Sequence, residues 1–153
     1  MRTSPLTHAP AFSLADHKGH TRTLADFLSR GRLLLTFHRG TWCPNCRLQF
    51  GLLAENIASY KARGVQVVGV LAQDREAVRK YVEEVGLPFD ILIDERRDVL
   101  RAYGVWHRLG LDAWNIARPA VCLINQDGTV AYSFIADQQK EFPTQAELLR
   151  AVG

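Results

Sequence analysis

The chain has 153 residues, 47% of them hydrophobic and 23% charged, which suits one globular domain with a core of its own. The net charge is only +3, and basic residues are interspersed with acidic ones, as in Lys80 to Glu84 and Asp94 to Arg101, so a nucleic-acid-binding surface is not expected. No apolar run approaches the roughly 20 residues that span a bilayer, the N-terminus shows no apolar signal region, and three cysteines make no disulfide framework. The expected setting is therefore the reducing cytoplasm, where cysteine pairs are mostly transient and catalytic.

Residues 1 to 10 read as an extended lead-in with two prolines. Phe12 to Asp16 alternates, Asp16 to His20 is rich in turn residues, and Thr21 to Thr23 returns as a second strand, giving a small N-terminal hairpin. Leu24 to Leu28 predicts a short helical turn closed near Gly31. Leu33 to Phe37 is apolar almost throughout, as in a strand buried on both faces.

A helix follows from about Pro44 to Lys61, with Cys46, Phe50, Leu53, Ile57 and Tyr60 as its core stripe and Gly64 as its left-handed stop. Val65 to Leu71 is a second buried strand. Asp74 caps a helix whose stripe is Val78, Tyr81, Val82 and Val85, ending at Gly86. Crossovers of this length suit parallel strands. Phe89 to Ile93 predicts a strand and Arg96 to Tyr103 a short helix with Val99, Leu100 and Tyr103 inward. Val105 to Ala117 reads as irregular, with Trp106 and Trp114 as local core. Pro119 to Ile124 is a buried strand, Asn125 to Gly128 a turn, and Val130 to Ile135 an antiparallel return. Pro143 to Val152 closes the chain as a helix with Ala146, Leu149 and Val152 inward. No repeat or linker divides the chain, so residues 1–153 are read as one domain.

The chemistry concentrates at Cys43-Pro44-Asn45-Cys46, at the join of strand and helix. If Cys43 caps the helix, Pro44 occupies its first position at no cost, because that N–H has no partner within the helix. Cys43 and Cys46 then share a face with Cα atoms roughly 5–6 Å apart, within disulfide range. The positive end of the helix favours a thiolate there, and Arg39 and Arg47 add positive potential. Cys43, nearer the tip, is the expected nucleophile and Cys46 the resolving thiol. A structural disulfide would close too short a loop to constrain the unfolded chain much, and a zinc site lacks a second ligand pair at suitable spacing. His38 is a candidate for tuning Cys43 or for an ordinary end-of-strand histidine. Trp42 reads as a lid on the site, and Cys122 as a small buried hydrophobe.

This order of elements resembles the thioredoxin fold, and more closely the peroxiredoxin (alkyl hydroperoxide reductase/thiol-specific antioxidant) family. The likeness rests on Ala9-Pro10-Ala11-Phe12-Ser13-Leu14, on Phe37-His38-Arg39-Gly40-Thr41-Trp42-Cys43-Pro44, on Asp94 to Val105, and on Arg118-Pro119-Ala120-Val121 with Ile124 to Gly128. It implies a three-layer α/β/α sandwich with a mixed central sheet, an N-terminal hairpin and a strand–helix insertion. It also implies a peroxidatic Cys43, a resolving Cys46, and an Arg118 that stabilises the thiolate and polarises the peroxide. Pro119 corresponds to the cis-proline that faces the Cys-x-x-Cys in thioredoxin-like proteins. The activity implied is reduction of hydrogen peroxide or organic hydroperoxides without a cofactor or metal, with a thioredoxin-like or glutathione-linked reductant, and the family's habit of dimerising implies a homodimer. The family's usual Pro-x-x-x-Thr/Ser-x-x-Cys is altered: Thr36 and Gly40 stand at the first two positions, and Thr41 is the nearest hydroxyl. That change, with the second cysteine, also fits a general thiol–disulfide oxidoreductase or a non-enzymatic redox-sensing module.

Overall fold

The computed structural model describes residues 6–109, 114–138 and 141–153, with 107–109 and 114–116 described by backbone alone. The expected lead-in over residues 1–5 and the core role of the Trp114 side chain lie outside the described residues. The hairpin of β1 (Ser13–Asp16) and β2 (Thr21–Thr23) leads into α1 (Leu24–Leu28), capped by the Thr23 hydroxyl accepting from the Asp26 N–H. Then come β3 (Arg32–Phe37), α2 (Pro44–Glu55), α3 (Ile57–Ala62), β4 (Val65–Leu71), α4 (Arg75–Val85), β5 (Ile91–Ile93) and α5 (Asp98–Ala102). The chain closes with β6 (Trp106–Leu109), β7 (Trp114–Ala117), β8 (Ala120–Ile124), β9 (Val130–Ile135) and α6 (Gln145–Val152).

Seven strands form one mixed sheet in the order β2-β1-β5-β4-β3-β8-β9. β3, β4 and β5 run parallel, β8 pairs antiparallel with β3, and β9 pairs antiparallel with β8. Side-chain alternation along β3 explains the layering. Leu34 packs with Phe50, Leu53, Val78 and Leu148 on one side of the sheet, while Leu33, Leu35 and Phe37 pack with Phe27, Leu100 and Cys122 on the other. Both faces are covered, so the strand needs no polar face. The fold is the expected thioredoxin-like α/β/α sandwich. No helix among the described residues is long and apolar enough to cross a membrane.

Several boundaries differ from the sequence reading for local reasons. The helix expected from Pro44 to Lys61 is broken at Asn56, whose side-chain N–H donates to Leu52 O at 2.8 Å and competes with the helical ladder. Val85 is 52% exposed because the chain turns away at Gly86, φ +66°, leaving the last stripe position beyond the packed layer. The capping box of Thr144 and Glu147 starts α6 at Gln145, so Leu148 and Val152 face inward and Ala146 faces solvent. Within the span read as irregular, β6 and β7 pair antiparallel apart from the main sheet. Trp106 is half-buried and carries the Arg101 guanidinium 5.0 Å from its ring.

Candidate functional site

The site stands where β3 ends. β3 delivers His38 and Arg39 into the interior, the loop Gly40-Thr41-Trp42 crosses the top, and Cys43 opens α2. Cys43 is the N-cap and Pro44 the first helical residue, as the spacing requires. The Cys43 Sγ accepts the Cys46 backbone N–H at 3.3 Å, so the sulfur takes one of the donors that a helix start leaves over. Cys46 lies one turn further in, and its Sγ accepts the Arg39 N–H at 3.3 Å. Both cysteines are 2% exposed, and both are free thiols.

The two sulfurs are not equivalent. Burial, with contact to Cys43, pushes the Cys46 thiol well above its ordinary value. It is the member of the pair held as a neutral S–H. Its neighbour instead takes a backbone N–H and has a guanidinium nearby, with Arg39 Nη1 at 3.9 Å from Cys43 Sγ. Arg39 is 7% exposed, and its guanidinium carbon lies 5.1 Å from the Trp42 ring centre.

The loop is pinned from β4. Thr41 donates its N–H to Gln73 Oε1 at 3.0 Å, and Gln73 Nε2 donates to Thr41 Oγ1 at 2.8 Å. The hydroxyl nearest the motif is therefore engaged by Gln73. Arg47 Nε donates to Thr41 O, and its guanidinium stacks over Tyr81 at 5.0 Å. Nothing in the sequence marks Gln73, which meets Thr41 across 32 residues. Thr36 is buried in β3, with its hydroxyl 3.5 Å from Val68 O.

Two expectations meet a different arrangement. Arg118 Nη1 contacts the carbonyls of Ala136 and Asp137 at 3.5 and 3.4 Å, and among the described residues no hydrogen bond joins it to Cys43. The Arg118–Pro119 peptide is trans, since no cis bond occurs among the described residues. Arg118 N–H donates to Val105 O and Pro119 O accepts from Ala136 N–H, so both residues are held as an extension of strand structure. Cys122 sits in β8 as a neutral thiol, pushed up to about 12 by burial.

His38 packs its ring against Phe50 and Phe142, with centroids 4.3 and 5.3 Å away. Burial pushes its imidazole down to about 3, so the folded protein holds it neutral. The unfolded chain then binds the extra proton between about pH 3 and about 6.5, and stability falls on acidification through that window. Relative to His38→Leu, the wild type should lose about 1.4 kcal/mol per pH unit between about pH 6 and about pH 4. Urea unfolding at each pH measures this difference; parallel profiles would show that the ring is solvated in the folded state.

The geometry joins two free thiols at the start of α2, with Cys43 Sγ accepting a backbone N–H and Cys46 pushed up by burial, at the edge of an α/β/α layer. The AhpC/TSA family model matches residues 5–133. The chain is 34% identical over 134 residues to the thiol-disulfide oxidoreductase ResA of Geobacillus kaustophilus, covering 87% of this chain and 70% of that protein. It is 31% identical to ResA of Bacillus anthracis over the same shares. Among solved structures, peroxidoxin BcpB from Mycobacterium tuberculosis superposes with a TM-score of 0.84 at 22% identity, covering 99% of this chain and 94% of that one. A peroxiredoxin 6 of Arenicola marina gives 0.85 at 18% identity, covering 99% and 72%. At those identities the structural likeness speaks for the fold, and the sequence matches speak for the family. The chain belongs to the AhpC/TSA family and is a thiol oxidoreductase.

Proposed function

We propose that the protein is a thiol-dependent peroxidase in which Cys43 is the nucleophile and Cys46 the resolving thiol. The observation that carries this reading is the burial of Cys43: its sulfur heads a helix yet the residue is only 2% exposed. A hydroperoxide is small enough for such a recess, whereas a protein disulfide must bring a folded surface to it. The Cys43 thiolate attacks one peroxide oxygen, the O–O bond breaks, and the departing oxygen leaves as water or an alcohol after taking a proton. Cys43 becomes a sulfenic acid. Cys46, kept protonated beside it, then displaces the hydroxyl as water and closes the Cys43–Cys46 disulfide. A thioredoxin-like or glutathione-linked dithiol returns two electrons. A coupled assay with thioredoxin, its reductase and hydrogen peroxide tests this. Turnover no faster than that of a free thiol refutes it.

Exchange with protein disulfides is the second reading. The identity to proteins named thiol-disulfide oxidoreductase and the absence of a hydroxyl at Gly40 favour it. It predicts that Cys46→Ser traps a partner as a mixed disulfide on Cys43 and that the wild type reduces insulin. Neither trapping nor insulin reduction would leave the peroxidase reading alone.

A further inference from the structure

Arg118, Arg47 and Arg39 all belong to this end of the fold, but they meet different groups. Arg118 is docked on the Ala136 and Asp137 carbonyls, and Arg47 is taken up by Thr41 O and the Tyr81 ring. Arg39 points its Nη1 at Cys43 Sγ from 3.9 Å. It arrives on the buried end of β3, and its own N–H holds Cys46 Sγ, so one residue touches both sulfurs. At 7% exposure its charge is poorly screened by water, which strengthens its pull on a neighbouring anion.

The placement of Arg39 depends on two neighbours. The face of the Trp42 ring lies 5.1 Å from the guanidinium carbon, a cation–π geometry. The ring in turn lies directly against Gly40. A Cβ built at position 40 would fall 2.3 Å from Trp42 Nε1, 2.8 Å from Cε2 and 2.9 Å from Cδ1. Any larger residue there must displace the indole. The indole thus occupies the space into which the side chain of a threonine or serine at position 40 would project. The missing hydroxyl and the stacked arginine are two sides of one exchange.

We propose that Arg39 is the cation that holds the Cys43 thiolate, and that Gly40 and Trp42 are the residues that position it. This deepens the thiol redox reading and rests on Cys43 being its nucleophile. It does not depend on whether the oxidant is a peroxide or a disulfide.

The test is the pH dependence of Cys43 alkylation by iodoacetamide, followed by mass spectrometry of the reduced protein. Peroxide is not needed, so failure of the peroxidase reading leaves this experiment intact. Arg39→Gln should move the alkylation midpoint up by at least about one pH unit, which is about a tenfold slower reaction below the midpoint. Arg39→Lys, keeping the charge without the planar stack, should recover part of the shift. Gly40→Ala should shift the midpoint in the same direction by less, because the ring it displaces is 44% exposed and has room to swing. Arg118→Gln should leave the midpoint in place. Should Arg39→Gln not fold, Gly40→Ala decides by itself. An unmoved midpoint in Arg39→Gln or Gly40→Ala, or a shift of that size in Arg118→Gln, overturns the proposal.

Discussion

Replacing Cys43 with serine should remove peroxide turnover to the uncatalysed background, a loss on the order of 10³-fold or more, while the fold survives. Cys43 is the N-cap of α2, and its sulfur accepts one backbone N–H. Serine is among the best N-cap residues, so its oxygen can take the same bond, and helix stability should change little. The reacting atom, however, becomes a hydroxyl that is scarcely ionised near neutral pH. Cys46 cannot substitute, because burial holds it as a neutral thiol a turn further inside. The coupled peroxide assay and a thermal melt together check this. Retained turnover in Cys43→Ser would move the nucleophile to another thiol; a collapsed melt would show that Cys43 is structural.

The second large effect is on stability. Phe50 projects from α2 one turn past Cys46, is fully buried, and lies between His38 at 4.3 Å, Tyr81 at 6.0 Å and Phe89 at 6.1 Å. Its ring rests on the backbone of β4 at Gly69, where an added Cβ would come within 3.1 Å of Phe50 Cε1. Helix and sheet thus meet through this ring, and a Cβ added at Gly69 would press on it. Phe50→Ala should cost about 3–5 kcal/mol, combining lost burial with the cavity left beneath the helix. Against a typical total of about 5–15 kcal/mol this is a large fraction. Urea unfolding measures it. Phe50→Leu, which refills most of the volume, should cost clearly less. A loss below about 1 kcal/mol in Phe50→Ala would mean that the aromatic cluster does not anchor α2.

What could be read from the sequence follows from the range of the interactions involved. β3 and β4 were legible because burial on both faces leaves continuous apolar runs, and the start of α2 because a cap and a first-position proline are adjacent residues. α4 was legible through Asp74, whose carboxylate accepts the Ala77 N–H. The break at Asn56 was hidden, since a side chain bonding its own helix leaves the apolar stripe intact. Among the described residues β6 and β7 pair only with each other, so the main sheet's pattern gives no hint of them.

At the site, the placing of Cys43 as the cap of α2 and of Cys46 one turn on was legible from spacing and the adjacent proline. The partner of Thr41 was not, because Gln73 is distant in the chain. Nor could the sequence rank the arginines by their distance to sulfur. Arg39 and Arg118 are equally plausible on composition, and their separation depends on where β3 and β8 end in space. Gly40 reads as a lost hydroxyl in the sequence and as room for an indole in the structure.

In the proposed reaction Cys43 attacks a small oxidant and is resolved by Cys46. Stopped-flow tryptophan fluorescence of the reduced protein mixed with hydrogen peroxide, with thiols counted before and after, tests it most directly. Trp42 precedes Cys43, and its ring is half-exposed beside the site. The expected trace has a fast phase whose rate rises with peroxide concentration, with loss of two thiols, and both are absent in Cys43→Ser. A reaction no faster than that of a free thiol would contradict it and move the assignment to disulfide exchange.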